Sequence, residues 1–341
     1  MSFGDRALET SSLPTSSQAS GDTCVYVIGM HRSGTSATAG LLHHLGLGAP
    51  RQADLAIPAR KKNERLWESK SLNDFDGRLL DHLGGTWMAP PRLSPEWWTN
   101  TSLDSFKAEG STVFAGTFGQ RPIVWKDPRL SIILPFWNSI ITPPVASVLV
   151  YRDPLEVACS LHARNHLRMT HGLALWERYL RSAATNLEGI PTFVMNYSSL
   201  LELPERRCED LIQFLGEVGV VVDRSATSRA IASLDEALHH ERAQDRALRI
   251  ALDSTMEVFR AFESLQGAHH PWSVPDLGVA PMWVDDTLEA SSELATLRSR
   301  HNVMMSSRSV RTARVLGRLS RLPFRRGLAA SRSKAPKTPN G

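Results

Sequence analysis

Short apolar runs alternate along the chain with stretches in which apolar residues recur at helical spacing. The first run, CVYVI at residues 24–28, is rich in β-branched residues and ends at Gly29, which predicts a buried strand. Similar runs predict strands at residues 122–125, 145–151 and 192–195. Helical spacing predicts helices at residues 37–45, 154–166, 173–187 and 205–218. This alternation indicates an α/β fold with a central parallel sheet, whose ligands bind at the carboxyl ends of the strands.

The pattern also divides the chain into three regions. Residues 1–22 lack periodicity and are expected to form a flexible leader. Residues 23–285 are expected to form one folded domain, whose last part is helical and charged at 225–265 and a loop at 271–281. Residues 286–341 are a basic tail, expected to be either disordered or an amphipathic helix.

Positive charge is concentrated in the last residues. Residues 298–341 hold 12 of the 39 Lys and Arg residues and no Asp or Glu, while the whole chain carries a net charge of only +4. Residues 1–297 contain more Asp and Glu than Lys and Arg, which argues against nucleic-acid binding by the folded domain. Within the tail, an arginine stripe runs beside an apolar stripe at Val310, Ala313, Leu316, Leu319 and Leu322. Such a segment either lies on an anionic membrane surface or stays solvated.

Cysteine use and hydropathy indicate a reducing, cytoplasmic location. Cys24, Cys159 and Cys208 are widely spaced, which matches neither a disulfide framework nor the ligand spacing of a zinc site, so no metal is expected. The N-terminus lacks the apolar stretch of a signal peptide, and prolines interrupt the most apolar window, residues 131–151. No membrane span is expected, and the basic tail adds the alternative of peripheral contact at the inner membrane surface.

The first predicted strand leads into the loop GMHRSGTS, residues 29–36, at the start of a predicted helix. Unpaired backbone N–H groups and the helix dipole make such a loop a site for phosphate or sulfate, although an ordinary tight turn is the alternative. The spacing matches the nucleotide-binding loop G-x-x-x-x-G-K-[ST], but Thr35 takes the lysine position and Arg32 supplies the positive charge. Hydrolysis of ATP with Mg²⁺ is therefore the weaker hypothesis.

Two further strand ends carry positive side chains. Arg152 follows the strand at 145–151, and Ser160 lies eight residues later, in the second turn of the helix that Pro154 begins. A guanidinium and a hydroxyl so placed suit a phosphate monoester, whereas a surface Arg–Asp pair is the alternative. Lys126 and Arg129 follow the strand at 122–125. Cations at three strand ends indicate a polyanionic ligand.

Together these segments resemble the sulfotransferases that use 3′-phosphoadenosine-5′-phosphosulfate (PAPS), in particular the bacterial branch with a G-M-H-R-S-G-T-S loop. The resemblance spans residues 25–197 and implies a P-loop-like three-layer α/β fold with PAPS as donor. It implies that the 5′-phosphosulfate is bound by Arg32, Ser33, Gly34, Thr35 and Ser36. Arg152 and Ser160 match the 3′-phosphate motif R-x-P-x-x-V-x-x-S, and Tyr197 matches a Y-x-x-L segment whose tyrosine lies against the nucleotide.

The resemblance also implies the catalytic groups. Residues 63–68, NERLWE, are similar to the N-x-x-G-x-W-E segment of that branch, one residue shorter and without the glycine. Glu68 is thus the first candidate for the proton acceptor, and burial beside Trp67 is expected to raise its pKa; a surface carboxylate is the alternative. His82 and Asp76 are the next candidates. Arg32 and Lys126 are expected to stabilise the sulfuryl oxygens and the departing phosphate.

The resemblance implies an acceptor hydroxyl on a carbohydrate or a glycolipid. Trp87, Trp97 and Trp98 are expected to form a platform for a sugar, a covering lid or part of the core. Two alternatives remain open at this point. One is a catalytically silent nucleotide-binding or scaffold protein recruited through its tail, and the other is a P-loop kinase or NTPase.

Overall fold

The computed structural model describes residues 24–56, 67–119, 122–141, 145–235 and 253–306. The predicted leader, residues 63–66 of the segment before Glu68 and the arginine stripe of the tail lie outside the described residues. The chain divides into two compact units, Met1–Ser291 and Ser292–Gly341. The description that follows concerns the first unit; the described part of the second is the end of one helix.

A five-stranded sheet forms the centre of the fold. Its strands are β1 (Cys24–Ile28), β2 (Ile123–Lys126), β3 (Val145–Tyr151), β4 (Thr192–Asn196) and β5 (Gly267–His269), in the order β2-β1-β3-β4-β5. The first four are parallel, with Val27 of β1 opposite both Lys126 and Val148, and their prediction is confirmed. The fifth strand was not predicted and runs antiparallel to β4. Gly-Ala-His lacks an apolar pattern, so its pairing is not visible in the sequence.

Helices connect the strands and cover the sheet. They are α1 (Thr35–His44), α2 (Lys70–His82), α3 (Asp104–Thr117), α4 (Leu130–Asn138), α5 (Pro154–Asn165), α6 (Met169–Asn186), α7 (Tyr197–Glu202), α8 (Pro204–Glu217), α9 (Thr227–Asp235), α10 (Asp253–Ser264) and α11 (Met282–Ser306). The helices predicted from residues 37, 154, 173 and 205 correspond to α1, α5, α6 and α8, within a few residues at each end. The pattern analysis missed α2, α3, α4 and α7, whereas α9 and α10 lie within the stretch 225–265 that was predicted to be helical.

Two apolar cores lie on the two faces of the sheet. Alternate residues of β1 point to opposite sides, so that Tyr26 and Ile28 pack in one core and Val25 and Val27 in the other. All four side chains are completely buried, which explains why the strand is a continuous apolar run. Helices α2, α4 and α6 contribute to the first core, and α1, α8 and α9 to the second. The predicted three-layer α/β fold is confirmed.

Candidate active site

The loop between β1 and α1 passes close to two neighbouring elements. A Cβ atom on Gly29, whose φ is +140°, would lie 2.1 Å from the carbonyl oxygen of Val150 in β3. A Cβ atom on Gly34, at φ +93°, would lie 2.1 Å from the ring of Tyr197 at the start of α7. Glycine is therefore required at both positions by space as well as by backbone conformation. Arg32 between them also has a left-handed backbone, with φ +70°.

The N-terminus of α1 has the properties of an anion site. Within the described chain, no side chain caps this helix, and its first turn contains no acidic residue. The first N–H groups of an α-helix have no intrahelical acceptor, so they are available to an anion that the dipole also attracts. The hydroxyl of Ser33 is buried and has no hydrogen-bond partner among the described residues. A ligand oxygen at this loop would satisfy it.

Four predicted binding residues meet beside Gly34, and we call Arg32, Arg152, Ser160 and Tyr197 the guanidinium cluster. Arg32 Nε donates to Ser160 Oγ at 2.9 Å, and Arg152 Nη1 donates to the carbonyl oxygen of Arg32 at 3.4 Å. The Arg152 guanidinium carbon lies 5.4 Å from the ring centroid of Tyr197. Burial raises the pKa of Tyr197, while the two guanidiniums act in the opposite direction. Glu156 Oε2 accepts from Arg152 Nε at 2.7 Å, so the cluster brings two guanidiniums, one of them paired with a carboxylate, against an aromatic ring.

The sheet topology brings this cluster together. Strands β1, β3 and β4 are neighbours and parallel, so the loop, Arg152 and Tyr197 emerge at the same edge. Asp153 caps α5 by accepting the N–H groups of Leu155 and Glu156, and Pro154 occupies its first turn. The indole N–H of Trp176 fixes the carbonyl oxygen of Arg152 at 2.9 Å. Ser160 is thereby carried on a helix that begins two residues after Arg152.

Glu68 and Lys126 form a buried ion pair. Lys126 Nζ at the end of β2 donates to Glu68 Oε1, and the Asn73 amide donates to Glu68 Oε2 at 2.8 Å. The side chains of Lys126 and Glu68 are 3% and 11% exposed. Burial raises the pKa of Glu68, but the charge and hydrogen bond of Lys126 outweigh it, and the net pKa is lowered. The predicted rise in the pKa of Glu68 is therefore wrong, because its strongest neighbour is a cation rather than the Trp67 ring.

His31 lies in the loop directly before Arg32, although the sequence analysis gave it no role. Its ring packs against Trp87 with centroids 4.5 Å apart and against Tyr179 at 5.8 Å. Its Nε2 is buried and has no hydrogen-bond partner among the described residues. Burial lowers the pKa of His31 to about 3, helped by Arg129 and Lys126 and opposed by Glu68. The imidazole is therefore neutral near neutral pH, and its position directly before Arg32 was the available sequence signal.

The other candidates for the proton acceptor differ in environment. Asp76 is fully buried, and burial followed by the charge of Asp127 raises its pKa well above the ordinary value. A carboxyl group held protonated cannot accept a proton, so this environment does not suit the role predicted for Asp76. His82 lies exposed at the end of α2, with its ring 5.0 Å from that of Phe106. Trp97 and Trp98 pack against the first apolar core.

Among the described residues, no group of three or more His, Cys, Asp or Glu side chains is arranged to hold a metal ion. Nor does any described helix combine the length and the apolar character needed to cross a bilayer.

Comparison with known proteins yields distant structural similarities. No family model and no curated protein matches the chain. Among solved structures, the sulfotransferase domain from the Synechococcus PCC 7002 olefin synthase is similar, with 17% sequence identity and a TM-score of 0.37. The match covers 81% of this chain and 96% of that domain. At this identity and TM-score, the similarity assigns neither a family nor an activity.

Proposed function

We propose that the protein is a sulfotransferase that moves a sulfuryl group from PAPS to an acceptor hydroxyl. The observation that carries the proposal is the convergence of Arg32, Arg152 and Ser160 beside an uncapped helix N-terminus. Two guanidiniums and a hydroxyl next to a helix dipole suit a ligand with two separate anionic groups. An adenosine that carries a 3′-phosphate and a 5′-phosphosulfate has this character.

The residues that would hold such a donor divide into two groups. The loop residues Ser33, Gly34, Thr35 and Ser36, with Arg32, would bind the 5′-phosphosulfate. Arg152 and Ser160 would bind the 3′-phosphate, and Tyr197 would lie against the nucleotide. The orphaned hydroxyl of Ser33 and the uncapped first turn of α1 support the fit to an anion.

The chemistry of the transfer assigns a role to the buried ion pair. When bound, the donor supplies the sulfuryl group, which joins the acceptor oxygen as its bond to the bridging phosphate oxygen breaks. Positive charge is required where negative charge accumulates, and Arg32 and Lys126 supply it. Each oxygen of Glu68 accepts one hydrogen bond, which leaves lone pairs that can take the hydroxyl proton. Lys126 lowers the pKa of Glu68 and would thus keep the proton acceptor ionised while it places a cation beside the sulfuryl oxygens.

For the acceptor, we propose a hydroxyl group of a carbohydrate or a glycolipid. The Trp87 ring beside His31 supports this choice, because aromatic faces bind the apolar faces of sugars. The basic tail, residues 286–341, supports action at an anionic inner membrane surface.

A pair of nucleotides that differ only in the 3′-phosphate tests the donor assignment. We expect wild type to bind 3′-phosphoadenosine-5′-phosphate (PAP) more tightly than AMP in calorimetric titrations. Arg152→Ala should weaken PAP binding by about 10- to 100-fold and AMP binding much less, because one charge-assisted hydrogen bond contributes about 1.5–3 kcal/mol. Arg224→Ala removes an exposed arginine paired with Glu209 and should change neither affinity. Equal binding of PAP and AMP by wild type would refute the assignment.

A transfer assay separates an enzyme from a silent nucleotide-binding protein. We expect wild type to move label from ³⁵S-labelled PAPS to a component of a glycan or glycolipid extract. Under conditions in which Glu68→Gln is shown to be folded, it should keep PAP affinity and lower turnover by about 10² or more, the typical contribution of a positioned general base. PAP binding without any transfer would favour the silent protein, and unchanged turnover in Glu68→Gln would exclude Glu68 as the proton acceptor.

A further inference from the structure

Arg129 carries a guanidinium near the buried ion pair of Glu68 and Lys126, and the proposed mechanism gives it no role. It follows Lys126 by three residues, in the turn that leads from β2 to α4. Its Nη1 donates to both carboxylate oxygens of Asp127, at 3.1 and 3.0 Å, and its backbone N–H donates to Asp127 Oδ1 at 2.8 Å. The side chain of Arg129 is 16% exposed and that of Asp127 only 1%. The guanidinium is thus folded back on its own turn and held in one orientation.

A third residue fixes Asp127 in turn. Asp76 on α2 is fully buried, and its Oδ1 accepts the indole N–H of Trp137 at 2.9 Å. Burial and the nearby Asp127 raise the pKa of Asp76 well above its ordinary value, with Arg129 acting in the opposite direction. Two adjoining buried carboxyl groups cannot both be ionised, so Asp76 retains its proton and can donate it to Asp127 in a hydrogen bond. With Asp76 protonated, the array of Asp76, Asp127 and Arg129 contains one carboxylate and one guanidinium, and its charges balance.

The remaining donors of Arg129 form an intact fork. A guanidinium has five N–H donors, and the Nε and Nη2 edge matches the two oxygens of an oxyanion. Within the described chain, this edge donates to no acceptor, because the contacts with Asp127 all use Nη1 or the backbone. Neither nitrogen is among the buried side-chain atoms that lack a partner, so solvent reaches both. The edge is therefore open to a ligand.

The position of this fork indicates which ligand it faces. Strands β2 and β3 flank β1 on opposite sides, so Lys126 and Arg129 follow β2 on one side of the loop, whereas Arg152 and Tyr197 follow β3 and β4 on the other. Lys126 donates to Glu68. Arg129 thus lies on the side of the loop that carries the proposed proton acceptor, away from the guanidinium cluster. The buried, unpartnered Nε2 of His31 is a second polar atom on that side without a partner in the described chain.

We propose that Arg129 binds an anionic group of the acceptor, a carboxylate, sulfate ester or phosphate ester, close to the hydroxyl that receives the sulfuryl group. This inference rests on the proposed function and adds the class of substrate, an acidic acceptor. The Nε and Nη2 fork would take the oxyanion in a bidentate arrangement, while Asp127 and Asp76 keep the fork in place. Asp127 and Asp76 are positioning residues in this scheme.

Matched acidic and neutral glycosides test the proposal on the full chain saturated with PAP. The probes are p-nitrophenyl glucuronide against p-nitrophenyl glucoside, and p-nitrophenyl N-acetylglucosaminide with and without a 6-sulfate. In calorimetric titrations, wild type should bind the acidic member of at least one pair about tenfold or more tightly than the neutral member. The pair that shows the larger preference distinguishes a carboxylate from a sulfate ester.

Three variants test whether Arg129 causes the preference for acidic probes. Arg129→Gln should bind acidic and neutral probes equally while keeping wild-type PAP affinity. Arg129→Lys retains the charge beside Asp127 but not the fork, and should lose most of the preference, so the test survives if the glutamine variant does not fold. Arg164→Gln removes an exposed cation that also acts on His31, and should retain the preference.

The possible results separate this inference from the proposed function. Wild type that binds PAP but shows no acidic preference, or binds no acidic probe, overturns the role of Arg129 and leaves the donor assignment intact. A preference that persists in Arg129→Gln and Arg129→Lys overturns it as well. Wild type that does not bind PAP refutes the proposed function itself.

Discussion

Gly34 shows how one residue sets the geometry of the loop. Its φ of +93° is accessible to glycine at little cost, and its missing side chain leaves room for the Tyr197 ring, which a Cβ atom would approach to 2.1 Å. The loop and α7 can therefore touch only because this position has no side chain. Contact between them is what places Tyr197 beside the guanidinium cluster.

Gly34→Ala should destabilise the protein and weaken PAP binding, since either the loop or Tyr197 must move. A matched control is Gly84→Ala, because Gly84 also has a positive φ, +83°, but nothing lies within 4 Å of an added Cβ atom. That control should cost only backbone strain of about 1–2 kcal/mol and leave PAP affinity unchanged. Urea unfolding and calorimetry measure both effects. Equal losses in the two variants would show that contact with Tyr197 is unimportant.

The ion pair of Glu68 and Lys126 should be strongly coupled in unfolding experiments. Removing one partner leaves a buried charge without compensation, which costs about 3–5 kcal/mol. We therefore expect Glu68→Gln and Lys126→Met each to be strongly destabilising and their combination to cost much less than the sum of the two.

The exposed pair of Arg78 and Glu109, whose side chains are 52% and 44% exposed, is the control for this cycle. Solvent screening limits its coupling to less than about 1 kcal/mol. The free energy of unfolding of each variant in urea yields both coupling energies. A buried coupling no larger than the exposed one would contradict the described burial of the pair.

At the scale of secondary structure, a single cap connects β4 to the site. Asn196 ends β4, and its Oδ1 accepts the N–H groups of Ser198 and Ser199 at 2.8 and 3.2 Å. These bonds begin α7, a helix of six residues whose first residue is Tyr197. A helix this short depends on its cap, because it has few bonds of its own.

Asn196→Ala should lower the free energy of unfolding by about 1 kcal/mol and also weaken PAP binding, because the first turn of α7 holds Tyr197. Asn100 makes a similar bond to the N–H of Ser102 at 2.9 Å in an exposed turn. Asn100→Ala should affect stability only. Thermal unfolding with and without PAP measures the two contributions, and an unchanged PAP affinity in Asn196→Ala would argue against a role for the cap in the site.

Strands and helices were predictable where the local residue pattern reflects how the element is buried or capped. The four parallel strands are apolar runs because each is covered on both faces, and α5 begins at a recognisable Asp-Pro cap. Strand β5 was not predictable, since its three residues are held by pairing with β4 rather than by their own pattern. Helix α2 was missed although it carries Asp76, and its Ser69 cap accepts the N–H of Leu72 at 3.0 Å.

At the scale of the whole molecule, the buried imidazole of His31 should make the fold sensitive to acid. Its pKa is lowered to about 3 in the folded state, against an ordinary value of 6.5. Below about pH 6.5 the unfolded chain binds a proton that the folded protein does not, so stability falls until the pH reaches the folded pKa. The loss attributable to His31 is at most about 1.4 kcal/mol per pH unit.

His31→Gln should therefore reduce the dependence of the free energy of unfolding on pH between about pH 6.5 and the onset of acid unfolding. Urea titrations at several pH values measure this slope. His82→Gln, which replaces an exposed histidine, should leave it as in wild type. Equal slopes in wild type and His31→Gln would contradict the burial of the imidazole. Asp76 has the opposite effect on stability. Because its pKa is raised in the folded state, its contribution to the free energy of unfolding falls as the pH rises.

The amino-acid sequence alone determined the α/β class and the strand, loop and helix at the start, while the residues that the resemblance assigns to nucleotide binding stay a prediction. These depend on short-range periodicity, turn chemistry and local spacing. The tertiary structure decided which side chains meet. Glu68 and Lys126 are 58 residues apart, Arg32 and Ser160 128, and Asp76 and Trp137 61. Sheet order brings such partners together, and the partner decides whether burial raises a pKa, as in Asp76, or is outweighed, as in Glu68.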